Sequence, residues 1–154
     1  MKKLLSDVTS FFEKENWLYS LVDPNPIPGE TGILTSFKGK HGHYSCFGLV
    51  IEKDQRFAFY ATCPTTIPEE KLPAVAEFLH RANFDMVIGN FELGYEPLEI
   101  RFKASIDVEG NALTHELIKG IVYPVVLTMD TYYPYILKLI FGEMTPEEVL
   151  VEIG

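Results

Sequence analysis

The sequence predicts an α+β fold: one antiparallel sheet of about five strands with helices mainly on one face, in the order α-βββ-α-ββ-α-α. Three observations carry this expectation. Apolar residues recur at helical spacing at both ends and near the middle of the chain. Between those segments lie strand-like runs joined by short turns, which argues hairpins rather than parallel crossovers. Finally, 154 residues at 47% apolar and 23% charged suffice for one hydrophobic core, so residues 1–154 are expected to form a single domain.

The first helix is expected over Lys3 to Lys14. Leu4, Leu5, Val8, Phe11, Phe12 and Glu15 fall on one stripe in which only Glu15 is polar, and Asn16 is a plausible stop. Trp17 to Val22 reads as a short extended piece. Asp23 to Gly29 must be loop, since its three prolines remove donors and fix φ. Three strands follow, near Gly32 to Gly39, Tyr44 to Lys53 and Arg56 to Cys63, the last two joined at Asp54-Gln55 by a hairpin turn of two or four residues. Pairing 53 with 56 and 52 with 57 puts Phe47, Leu49 and Ile51 on one face with Ala58, Tyr60 and Thr62. The opposite face then carries Val50, Phe57, Phe59 and Ala61 together with Gly48 and Glu52. Both faces are substantially apolar, so the one not covered by helices has apolar surface to hide.

A helix near Glu70 to Asn83 is limited by Pro68 and Pro73, with Ala76, Phe78, Leu79 and Ala82 expected inside. A second hairpin joins Met86 to Leu93 and Leu98 to Ile106 through Gly94-Tyr-Glu-Pro97. Pairing 93 with 98 sets Val87, Gly89, Phe91 and Leu93 inward, and Glu99, Arg101, Lys103 and Ser105 outward. Thr114 to Phe141 has a helical pattern, with Pro124 and Pro134 expected to kink or break it. Gly142 ends it, and Thr145-Pro146-Glu147-Glu148 carries the cap, first-position proline and third-position glutamate of a last short helix, to about Glu152.

Charge removes several function classes. The net charge is −9, and Ser105 to Gly154 holds eight acids against two lysines, a net of −6. No basic stripe is present to neutralise phosphates, so neither nucleic acid nor an anionic membrane is an expected partner. No run approaches the ~20 apolar residues of a membrane span. Polar residues from Ser6 to Glu15 interrupt the N-terminal apolar run, which argues against a signal peptide and for a cytoplasmic protein.

Residues 78–83 (FLHRAN), continued through 84–92 (FDMVIGNFE), resemble the central signature of the YbjN family, bacterial proteins described as sensory transduction regulators. Asp130 with Tyr132-Tyr133-Pro134 is similar to that family's C-terminal helix, and the element order matches over roughly residues 1 to 142. The resemblance implies a fold like that of type III secretion chaperones, often dimeric, with no established catalytic activity. Read without the family, the same signature solves packing problems. Asn83 closes a helix, Gly89 makes room for Phe102, and Arg81 caps the helix end or pairs with Glu77.

Candidate chemistry is sparse. His41, His43 and Cys46 are close in sequence, but a strand sends His43 and Cys46 to opposite faces, and a polar turn explains the histidines; no metal or other cofactor is expected. Cys46 and Cys63 fall opposite one another in the predicted register. A cross-strand disulfide or redox switch is conceivable there, although two buried thiols are the commoner outcome in a reducing compartment. There is no nucleophile elbow and no glycine-rich phosphate loop, and the acid pairs Glu69-Glu70 and Glu147-Glu148 sit at helix starts. The reading is a non-enzymatic, chaperone-like regulatory module. It is expected to be homodimeric and to hold a protein segment on an apolar sheet face, the one bearing Val50, Phe57 and Phe59. The alternative is a small-molecule sensor with a pocket between the sheet and a kinked C-terminal helix, lined by Tyr132, Tyr133 and Phe91.

Overall fold

A computed structural model describes residues 3–24 and 28–153; Asn25, Pro26 and Ile27, within the expected proline loop, lie outside the described residues. Helix α1 (Lys3–Lys14) leads into β1 (Tyr19–Val22), β2 (Glu30–Lys38), β3 (His43–Ile51) and β4 (Arg56–Thr62). A 3-10 turn at Glu69–Lys71 opens α2 (Leu72–Asn83), followed by β5 (Asn90–Tyr95), β6 (Leu98–Asp107), α3 (His115–Phe141) and α4 (Pro146–Ile153). The strands form one antiparallel sheet in the order β1-β2-β3-β4-β6-β5. The extended piece after α1 pairs with β2 as a sixth strand, one more than expected.

One sheet face and the apolar stripes of the helices share a single core. Ile33, Phe57, Phe59 and Phe102 from the sheet are fully buried with Val8 and Phe12 of α1, Phe78 of α2, and Val122 and Met129 of α3. α2 buries Val75 rather than the expected Ala76, because 75, 78, 79 and 82 are the positions that share one helical face.

Both hairpins differ from their expected register by two residues. β3 and β4 pair Ile51 with Arg56, leaving Glu52–Gln55 as a four-residue turn. Gln55 takes a left-handed φ of 54° there and donates its N–H to the Glu52 carbonyl at 3.2 Å. In the second hairpin Gly94 stays in the strand and Tyr95 pairs with Leu98, so Glu96-Pro97, joined by a cis peptide, make the whole connection. A slip of two preserves which residues share a face, so the facial groupings survive while the cross-strand partners change. Cys46 therefore lies opposite Ala61, not Cys63. β5 also starts at Asn90, and Val87, expected inside, is 91% exposed.

α3 runs as one 27-residue helix through both prolines, so of the expected kink or break, no break occurs. Pro124 frees the carbonyl of Gly120, an exposed residue whose carbonyl solvent can satisfy. Thr114 caps the helix by accepting the Leu117 N–H. The reciprocal cap of α4 forms as expected: Glu148 N–H donates to Thr145 Oγ1 at 3.2 Å, and Thr145 N–H donates to the Glu148 carboxylate at 3.0 Å.

Candidate functional site

The two sheet faces are reversed relative to expectation. Val50, Phe57 and Phe59, the residues expected to meet a partner, are at most 1% exposed and lie beneath the helices. The Phe59 ring packs 5.9 Å from Phe12 and 6.3 Å from Trp17. Glu52 misleads as a sign of an open face. It stands at the end of that face, where its carboxylate accepts the Leu4 N–H at 2.8 Å and the Leu5 N–H at 3.2 Å. Those amides at the start of α1 have no intrahelical partner, so a carboxylate beside them is part of a helix cap and not a misplaced core residue.

The uncovered face carries the other set. One row crosses all six strands as Ser20, Leu34, Phe47, Tyr60, Lys103 and Asn90, and Leu49 and Ala58 lie in the next row. Leu34 is 45% exposed, and Phe47, Leu49, Ala58 and Tyr60 are half-buried. The Phe47 ring lies over Gly32, 2.8 Å from where a Cβ would stand, and 6.2 Å from the Tyr60 ring. On the far side of Tyr60 the chemistry changes. The Arg101 guanidinium sits 4.5 Å from the ring centroid and pairs with Glu92 at 2.7 Å. The result is an apolar half over β2–β4 bordered by a charged half over β5 and β6.

Two polar centres tie α3 to the rest of the fold. Asp130 of α3, 7% exposed, accepts the Tyr44 hydroxyl at 2.6 Å and the Lys40 and His41 amides at 2.8 Å each. Burial works to raise its pKa, but the bonds from Tyr44, His41 and Lys40 outweigh that and hold the carboxyl below its usual range. Burial first, then the bond to Asp130, pushes the Tyr44 phenol up. Gly39 is needed at this contact, since a Cβ there would stand 2.5 Å from the Asp130 carboxyl. Asp130 thus ties the β2–β3 turn to α3. The sequence reading gave it no such role, although it is the lone charge between Lys119 and Lys138. The second centre is Glu15, which accepts the Tyr123 hydroxyl at 2.8 Å and meets His115 at 3.0 Å. These bonds, Tyr123 first and His115 second, lower its pKa.

The remaining candidates are structural. His41 contributes its backbone to Asp130, while exposed His43 meets Ser36 at 3.2 Å and Cys46 is buried on the other face. Among the described residues no group of three metal-binding side chains forms. Both thiols are free and buried, and burial pushes Cys46 up to about 12 and Cys63 up to about 11. Of the residues expected to line a sensor pocket, Tyr132 packs 6.1 Å from Phe78 and 5.2 Å from Phe91, and Tyr133 bonds to Thr65 at 2.6 Å. Asn83 closes α2 and also clasps β5: its amide group donates to the Phe91 carbonyl at 3.0 Å and accepts the Phe91 N–H at 2.7 Å. Gly89 makes room for Phe102 as expected, at a φ of 77°, though it lies just before β5 and not opposite Phe102 within the strand. Arg81 pairs with Glu77 at 2.9 Å and reaches Glu147 of α4 at 3.4 Å.

Among the described residues no helix is long and apolar enough to cross a membrane. No curated protein matches the sequence. Among solved structures, the fold is similar to a chain from "Structure of the HopA1-SchA Chaperone-Effector Complex", with a TM-score of 0.50 and 13% identity over 84% of this chain and 92% of that one. Residues 6–138 match the family described as "YbjN: Putative bacterial sensory transduction regulator". That span contains the Asn83 clasp, the Gly89 seat and the Asp130 tie, and the chain belongs to the YbjN family.

Proposed function

We propose that this chain is a non-enzymatic, chaperone-like protein-binding module of the cytoplasm, and that it holds a partner segment on the uncovered sheet face. The observation that carries this reading is the apolar half of that face, Leu34, Phe47, Leu49 and Tyr60, on the side opposite the helical layer. An amphipathic segment laid there buries apolar area on both partners, and the adjoining Arg101 and Lys103 favour an acidic flank on the segment. The likeness to a chain of a chaperone–effector complex supports the same reading by analogy of fold.

The test is suppression of aggregation of a heat-unfolded reporter protein, followed by light scattering. The wild-type chain is expected to suppress it, and Leu34→Asp and Phe47→Asp to lose that effect while keeping the wild-type circular dichroism. Suppression that survives both substitutions sinks the reading, as does no suppression at all.

We also infer a homodimer. Phe84, Phe141 and Val151, each at least 75% exposed, leave apolar area outside the sheet. Molar mass by light scattering across a dilution series reads this directly, and a monomer at every concentration removes the dimer from the reading.

A further inference from the structure

β6 is longer than the strand covering its outer edge. It runs from Leu98 to Asp107, whereas β5 pairs with it only from Leu98 to Lys103. On its other side β4 pairs with it as far as Asp107. Ala104 to Asp107 is therefore a stretch of sheet edge roughly 13 Å long with no strand opposite it among the described residues.

Successive residues of an antiparallel strand turn their N–H and C=O groups to alternate sides. The Ile100 carbonyl accepts the Cys63 N–H and the Val108 N–H donates to the Gln55 carbonyl, so even-numbered residues face the β4 side. Odd-numbered residues face outward, as the Lys103 carbonyl does, 2.7 Å from where Gly89 would carry a Cβ. The next outward pair of donor and acceptor belongs to Ser105, which is itself exposed.

Beside this edge lies a cavity of about 370 Å³ whose lining includes Val87, Ile88, Ala104, Ser105 and Ile121 of α3. Val87 and Ile88 are 91% and 45% exposed. They sit on a connection held at both ends, by the Met86 N–H on the Asn83 carbonyl and by the clasp of Asn83 on Phe91.

We propose that this notch takes an extended segment of a partner polypeptide, added as a short strand beside Ser105, with one apolar side chain seated against Ile121, Val87 and Ile88. The backbone groups specify the occupant. An outward N–H and C=O on one residue are matched by an extended chain, whereas a helix has already used its own. The charges in the lining, Glu92 and Lys103, lie 3.7 Å apart and offset one another, so the cavity selects an apolar side chain. β5 at one end and the turn closed by Glu109 N–H on Asp107 at the other restrict the added strand to about four residues. The notch shares Lys103 with the charged border of the uncovered face but none of its apolar residues, so substitutions at Ile88 and at Leu34 test the two sites separately.

Random linear peptides displayed on phage are selected on the immobilised full chain, and the enriched sequences are synthesised and titrated by fluorescence anisotropy. Amide exchange is followed by NMR. In the free protein the Ser105 amide is expected to exchange fast while Ala104 and Ile106, paired with β4, exchange slowly; bound peptide slows Ser105. Ile88→Asp, and independently Val87→Asp, should weaken binding about tenfold or more with unchanged circular dichroism, and Leu34→Asp should leave it unchanged. A selection without binders, a peptide that leaves Ser105 exchange unaltered, or binding insensitive to both substitutions overturns the proposal. Concentration-dependent protection of Ser105 without peptide overturns it too, assigning the edge to a second copy.

Discussion

Asp130 is a single carboxylate on which the β2–β3 turn and α3 both depend. Its three bonds come from a phenol and two backbone amides, and no cation among the described residues balances it at hydrogen-bond distance. Asp130→Asn leaves one acceptor oxygen where two were used, and should cost about 2 kcal/mol in urea unfolding near neutrality. The pH dependence follows from the lowered carboxyl pKa. The stabilisation is fully present above the unfolded-state value of about 3.9 and is lost as pH falls through the lower folded-state value. The gap between wild type and Asp130→Asn should therefore narrow as pH falls below that unfolded-state value, and a constant gap would show that charge is not what the site uses. Gly39→Ala tests the same contact from the other side, since the added Cβ must displace the carboxyl; a loss of roughly 1–3 kcal/mol is expected. None of this was legible beforehand. A lone aspartate in a long apolar helix signals a buried polar contact, but its partners lie 86 to 90 residues away and no local pattern names them.

Elements were more legible than their partners. Helix limits followed from apolar spacing, caps and prolines, because these act within a few residues. Hairpin registers came out two residues off because turn length depends on details that composition does not resolve: the left-handed Gln55 and the retention of Gly94 in β5. Alternation made that error harmless to the facial groupings, yet it could not say which of two apolar faces would be covered. Glu52 weighed toward the wrong face because its use, capping α1 from 47 to 48 residues away, is tertiary. Two substitutions check the corrected assignment by chemical denaturation. Phe59→Ala should cost about 3–5 kcal/mol, as for a filled core site, whereas Leu34→Asp on the other face should change stability by less than about 0.5 kcal/mol. Glu52→Ala should cost about 1 kcal/mol through the uncapped start of α1, and a negligible cost would return that carboxylate to an incidental role.

At the scale of the molecule, the helical layer closes one sheet face and leaves open the two surfaces proposed for recognition, the Leu34 and Phe47 patch and the β6 edge. Whether the chain opens as one unit determines how either surface is presented, and the cysteines report on this directly. Cys46 lies within β3 in the sheet's interior, and Cys63 follows β4 where the chain turns toward α2. Both are buried, and burial pushes their thiols up to about 12 and about 11, so the nucleophilic thiolate is scarce in the folded state. Labelling by an aromatic disulfide reagent must then wait for an opening that exposes the sulfur. If residues 1–154 are one cooperative domain, Cys46→Ala and Cys63→Ala variants, each with one remaining thiol, should label at similar rates after correction for their stabilities. Those rates should rise together with urea along the global unfolding slope. Markedly faster labelling of Cys63, with a shallow urea dependence, would show that the β4–α2 side opens separately. The α2–β5 connection that carries Val87 and Ile88 would then belong to the less stable part of the chain, and the notch beside Ser105 would form only transiently.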